Sequence, residues 1–139
     1  MTTILPIGPC LTMPRIGALP RACGRHLAQT HLRALPWSDR WKYDDIVAGI
    51  YVVTDLSGHV RWLGQANRED DLPGRLDSHN RNPAKREVFA KARVLHLHDG
   101  TPPRTIDAIE GRCADLLGLR EVMKPLRWPS ATDWLTLTT

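Results

Sequence analysis

The order of apolar periods along the chain predicts an α+β fold: a small three-stranded sheet, mixed or antiparallel, flanked by helices and preceded by an irregular and helical N-terminal extension. Three observations carry this expectation. The run Ile46-Val47-Ala48-Gly49-Ile50-Tyr51-Val52-Val53-Thr54 is rich in β-branched and aromatic residues, as a buried strand requires. Asp55-Leu56-Ser57-Gly58 supplies turn chemistry, and His59-Val60-Arg61-Trp62-Leu63 then alternates polar with apolar, so the two segments form an antiparallel hairpin. Ile106, Ile109, Cys113, Leu116 and Leu117 share one face of a long helix over residues 105–117, which Gly118 is placed to end.

The other elements follow from local signals. Residues 1–24, broken by Pro6, Pro9, Pro14 and Pro20, have no hydrophobic period and read as an irregular arm. Leu27, Leu32 and Leu35 recur near helical spacing, which predicts a short helix over 25–35 ending before Pro36. Asp39 caps a further turn carrying Trp41 and Tyr43. Past Gly64 the pattern becomes helical. Asp70 or Asp71 caps a helix through Leu72, Arg75, Leu76 and His79, with Pro73 in its first turn. Asn82 caps another, from Pro83 to about Ala92. Residues 93–98 alternate again as a third strand, closed by Asp99-Gly100. The chain therefore divides into an N-terminal Pro-rich arm with a short helix, 1–45, and a folded domain with its C-terminal tail, 46–139.

Composition narrows the function classes. A chain of 139 residues that is 42% hydrophobic can bury a real core, which excludes wholesale disorder. A net charge of +4 and a pI near 9.3 favour polyanionic partners. Cys10, Cys23 and Cys113 are odd in number and far apart, which argues against a disulfide scaffold or a zinc ribbon and for a reducing, cytoplasmic setting. No apolar stretch reaches the roughly 20 residues that span a bilayer, so no membrane partner is expected.

Several polar residues of these elements occur in a known order. Gly49-Ile50-Tyr51 precedes Trp62-Leu63-Gly64 by a hairpin's length, and Gln65-Ala66-Asn67 follows as a polar turn. Arg75 and His79 lie one helical turn apart, and Glu110 sits on the long helix beside its apolar stripe. In this the chain resembles the GIY-YIG nuclease superfamily, over roughly residues 47 to 126. Two positions depart from the family pattern. Trp62 stands where the family has its second tyrosine, and Lys124-Pro125-Leu126-Arg127 puts an arginine where the family often has an asparagine.

The resemblance implies a metal-dependent endonuclease hydrolysing phosphodiester bonds, with Tyr51, Arg75, His79 and Glu110 as its catalytic residues. Glu110 would hold one divalent cation, Mg²⁺ or alternatively Mn²⁺, both of which take carboxylate and water oxygens. Arg75 would present a planar fork of donors to the scissile phosphate. Tyr51 would orient or deprotonate the attacking water, which needs a cationic neighbourhood because a free phenol titrates near pH 10. His79 would relay that proton or hydrogen-bond the phosphate. Trp62, Arg68, Lys85 and Arg86 are the candidate nucleic-acid-binding residues, with Lys91 and Arg93 extending the basic stretch. DNA is the expected partner, RNA stays open, and the N-terminal arm is the candidate contact for a second copy or another protein.

The residues leave alternatives. An indole at position 62 cannot exchange a proton at neutral pH, so the rival reading is a catalytically degenerate domain that grips nucleic acid or a protein without cutting. His96 and His98 share a strand face as a metal pair without an evident third ligand, and His26 and His31 are spaced poorly for one. Trp128 and Trp134 either cover the sheet or stack on bases.

Overall fold

The computed structural model describes residues 6–123. Expectations resting on residues 124–127, Trp128 and Trp134 lie outside the described residues. The architecture is α+β, built on one antiparallel sheet of four strands: β1 (Leu27–Pro36), β2 (Gly49–Thr54), β3 (Val60–Ala66) and β4 (Lys91–Leu97), in the order β1-β4-β2-β3. Around it lie α1 (Met13–Ala18), α2 (Leu72–Asn80), α3 (Pro83–Val88), α4 (Pro103–Leu117) and α5 (Arg120–Met123). Two 3₁₀ segments, Leu19–His26 and Trp37–Tyr43, bracket β1.

The fourth strand corrects the sequence reading. The segment expected as a helix over 25–35 is β1, and the sheet has four strands where three were expected. Leucines spaced five and three apart suit a helix loosely and a bulged strand as well. β1 has such irregularities between Leu27 and Gln29 and between His31 and Leu35. What decides is tertiary: without β1 the outer edge of β4 would be bare, and pairing there outweighs a weak local preference. Ahead of β1, the arm is more ordered than expected. Thr12 caps α1 through a bond from the Arg15 amide, and Leu19, Ala22 and Cys23 are buried.

β2 explains its own unbroken apolar run, because every residue in it is buried and its two faces meet different layers. Ile50 and Val52 face α4 and the Leu19–His26 segment, joining Leu63, Leu95, Ile106, Ile109 and Cys113. Tyr51 and Val53 face the opposite way, into a cluster with Trp37, Tyr43, Leu72, Leu76, Phe89 and Val94. The α4 stripe and its end at Gly118 (φ +69°) are as the sequence predicts. So are the helix caps: Asp71 accepts from the Gly74 amide at 3.0 Å, and Asn82 from Ala84 and Lys85. Several boundaries move: β2 begins at Gly49, not Ile46, and β4 spans Lys91–Leu97, which leaves His98 outside the strand. α3 stops at Val88 because Phe89 is already extended (ψ 119°), and β3 runs on to Ala66, so Gln65 is a strand residue and not part of a polar turn. Among the described residues no helix is long and apolar enough to cross a membrane.

Because Leu35, Trp37 and Tyr43 pack into the cluster that holds Tyr51, the segment before Ile46 is part of the core. A fragment beginning at Ile46 should therefore lack cooperative unfolding and self-associate through its bared β4 edge. Circular dichroism and gel filtration check this, and a folded monomeric fragment would restore the boundary at residue 45.

Candidate active site

The site begins with a space left by a missing side chain. Tyr51 pairs with Gly64 across β2 and β3, and a Cβ at position 64 would overlap the Cζ and Oη atoms of Tyr51. The phenol ring lies directly over the Gly64 backbone. Gly49 has a parallel duty, since a Cβ there would stand 2.8 Å from the Leu95 carbonyl oxygen on β4. Both glycines of the Gly49-Ile50-Tyr51 and Trp62-Leu63-Gly64 segments are thus close-approach residues.

Over the ring, α2 and α3 bring three more polar side chains to the same place. The Tyr51 hydroxyl is 2.6 Å from His79 Nε2, and the other ring nitrogen, Nδ1, is 2.8 Å from Lys85 Nζ. Lys85 Nζ also sits 3.8 Å above the Trp62 ring centroid, while Trp62 and His79 meet edge to face at 4.9 Å. The short Arg81-Asn82 link between α2 and α3, with Asn82 capping the second, sets Lys85 opposite His79. Arg75, one turn before His79, gives Nη1 to Asp70 Oδ2 at 3.2 Å.

Burial controls the electrostatics. Tyr51 has no exposed surface and His79 only 5%. Burial pushes the Tyr51 phenol up to about 12, against the opposing pull of the Arg75 guanidinium. It pushes His79 down to about 3, helped by the positive charges of Lys85 and Arg75. Lys85 is lowered too, first by burial and then by Arg75. At neutral pH the site therefore holds a neutral phenol and a neutral imidazole among cationic side chains. Two N–H groups in it, Arg75 Nε and Trp62 Nε1, are buried and meet no acceptor. The Trp62 N–H faces Tyr51 closely enough to favour its ionised form but not in hydrogen-bonding geometry.

Two carboxylates lie across the sheet, on α4. Gln65, beside Gly64 on β3, donates from one amide nitrogen to Asp107 Oδ1 at 2.5 Å and to Glu110 Oε2 at 2.7 Å. Asp107 and Glu110 are one turn apart, and Glu110 is buried yet close enough to act on Tyr51. Among the described residues, no three His, Cys, Asp or Glu side chains converge as a metal cluster.

Tyr51, Trp62, Arg75, His79 and Lys85 are brought together, and Glu110 lies within electrostatic reach of Tyr51. Both His79 nitrogens are engaged by protein groups, so its expected bond to phosphate is not open in this arrangement. Arg68 is exposed on the loop after β3, lining a hollow with Asp99 and Thr101. Arg86 is exposed and donates to the Asn80 carbonyl. Gln65 and Asp107 were missed by sequence reasoning. The three-residue spacing from Asp107 to Glu110 was the available signal for one, and the continued β3 alternation for the other. His31 and His96 stack at 6.3 Å on neighbouring strands, and all three cysteines are free. Comparisons with protein-family models, curated proteins and solved structures find no match to this chain.

Two outcomes follow from this geometry. Gly64→Ala should lower stability by roughly 1–3 kcal/mol, the cost of overpacking a filled core, visible as a fall in the urea midpoint. The His79 pKa sets a pH dependence. The unfolded imidazole titrates near 6.5 and the folded one near 3, so between these values the unfolded chain binds more protons. Stability is complete above the upper value and falls as pH drops, by up to ~1.4 kcal/mol per pH unit. His79→Gln should flatten that slope in urea titrations at pH 7, 6 and 5.

Proposed function

We propose that the chain is a metal-dependent endonuclease of the GIY-YIG type that hydrolyses phosphodiester bonds in DNA. The observation that carries this reading is the convergence on Tyr51 of His79, Arg75 and Lys85 from two helices, with two buried N–H donors left unmet. An unsatisfied buried donor costs about 1–3 kcal/mol, so an oxygen-rich anion that accepted from Arg75 Nε and Trp62 Nε1 would recover several kcal/mol. A phosphodiester supplies such oxygens. Asp70 holds Arg75 by a half-exposed ion pair worth about 1 kcal/mol or less, which a phosphate can displace.

The donor set fits a hard cation. Two carboxylates from adjacent turns of α4 converge on one amide, which could turn its oxygen toward a cation in place of its N–H. Glu110, with Asp107 beside it, would hold Mg²⁺ or Mn²⁺. When bound, the cation would neutralise phosphate charge and stabilise the leaving oxygen. The protein's own groups do the rest: Arg75 orients the phosphate, the Trp62 plate walls the site, and Tyr51 positions water as a neutral phenol whose ionisation Arg75 assists. The net charge of +4 suits a nucleic-acid partner.

A second reading is favoured by one observation. Tyr51 is wholly covered and position 62 carries an indole where a hydroxyl would serve, which suits a domain that binds nucleic acid without cutting it.

Nicking of supercoiled plasmid with Mg²⁺, with and without chelator, separates the two. The enzyme reading expects Glu110→Gln to abolish nicking while DNA binding persists or tightens. It also expects Arg75→Ala to cost about 10²–10³-fold, the order for one charge-stabilising donor, and Arg75→Lys to restore little. Tyr51→Phe should cost far more than Trp62→Phe. If no preparation nicks but binding stands, the second reading holds, and Trp62→Tyr becomes the substitution that raises activity.

A further inference from the structure

We infer that Lys85 is a positioning residue that fixes His79 as its Nε2–H tautomer, so that the imidazole donates to the Tyr51 hydroxyl. The argument starts from hydrogen counts. A lysine ammonium carries three donors and no lone pair, so at 2.8 Å from Nδ1 it can only donate, and Nδ1 must be the accepting nitrogen. A neutral imidazole has a single N–H, which is then on Nε2, and Nε2 is 2.6 Å from the phenol oxygen.

Two premises support this. The first is that Lys85 is charged. Its nitrogen stands 3.8 Å above the centre of the Trp62 ring, where the negative face of an indole attracts a cation, and burial lowers its pKa without removing that attraction. The second is that His79 is neutral. The groups facing it are Tyr51 from β2, Trp62 from β3, Lys85 from α3, Phe89 after it, and Arg75 on its own helix. Two of these are cations, and Glu110 acts on Tyr51.

The assignment changes the role of His79. Its one lone pair is taken by Lys85, so it cannot receive the Tyr51 proton and acts as a donor. The phenol oxygen then accepts from His79, and its hydrogen points away from the imidazole toward whatever enters the site. It also gives the indole at position 62 a function, as the platform that holds Lys85 charged and in line. This deepens the nuclease reading by naming what orients its central tyrosine, but the tautomer is a property of the folded chain whether or not it cuts DNA.

The test is long-range ¹H–¹⁵N spectroscopy of the full chain with ¹⁵N-histidine at neutral pH, His79 being assigned by its loss in His79→Gln. The expected wild-type result is a single neutral form with the proton on Nε2. Lys85→Met keeps an unbranched side chain of similar length beside Trp62 and removes the donor, so the Nε2–H form should lose its dominance as the phenol donates to Nε2. Tyr51→Phe should leave the Nε2–H form in place, because Lys85 sets it. A wild-type imidazolium or Nδ1–H form overturns the inference. So does an unchanged tautomer in folded Lys85→Met, or a switch in Tyr51→Phe. If Lys85→Met does not fold, the wild-type and Tyr51→Phe spectra decide alone. The expected tautomer in a chain that never nicks plasmid would sink the nuclease reading and leave this one standing.

Discussion

The contact between the Tyr51 ring and the Gly64 backbone is the constraint on which the rest of the site depends. Side chains alternate along a strand, so a one-residue slip between β2 and β3 would turn Tyr51 to the α4 face and bring Ile50 under α2. The register that pairs Tyr51 with Gly64 prevents this, because only a residue without a Cβ can lie under the ring. With the ring seated there, its hydroxyl reaches His79, and the packing of Leu72 and Leu76 into the same cluster settles where α2 lies. Lys85 and Trp62 follow from that placement.

The sheet also separates charges that would otherwise cancel. Arg75, His79 and Lys85 stand on the α2–α3 side, whereas Asp107 and Glu110 come from α4, which packs on the other face. One amide, that of Gln65, donates to both carboxylates, Lys85 leans on neutral partners, an imidazole and an indole face, and Arg75 keeps its ion pair with Asp70. Charges held by neutral partners remain available to a ligand. Under the proposed function, this is what would keep the site open to an anion and a cation together.

Much of this was legible in the residues, and what was not has a physical reason. The hairpin, the caps at Asp71 and Asn82, the α4 stripe and the Gly118 stop rest on local chemistry within a few positions, and the structure has each of them. The gathering of Tyr51, Arg75 and His79 was expected only through the resemblance to the GIY-YIG superfamily. β1 was not legible, because a ten-residue strand with two bulges has no clean alternation, and its pairing depends on a partner 55–70 residues away. The same applies to Gln65 and Asp107. Each becomes informative only when β3 and α4 are adjacent, which no local pattern states. Lys85 was expected among basic side chains tracking phosphates, and it is a half-buried member of the central cluster. A charge run gives its sign but not the direction of each stem.

Under the proposed function, Trp62 is a change of design and not a loss. A tyrosine at that position would add a hydroxyl, but its smaller ring is a weaker platform for a cation. With an indole there, Lys85 is drawn over the ring face and onto His79, and the N–H of the same indole is left buried beside Tyr51 without an acceptor. The hydroxyl that is missing was one candidate for handling a proton; the indole handles none. It holds the cation that orients the imidazole, and the imidazole orients the one phenol that remains. Under the nuclease reading, proton chemistry would fall to Tyr51, whose phenol is raised by burial against the opposing pull of Arg75 and Trp62.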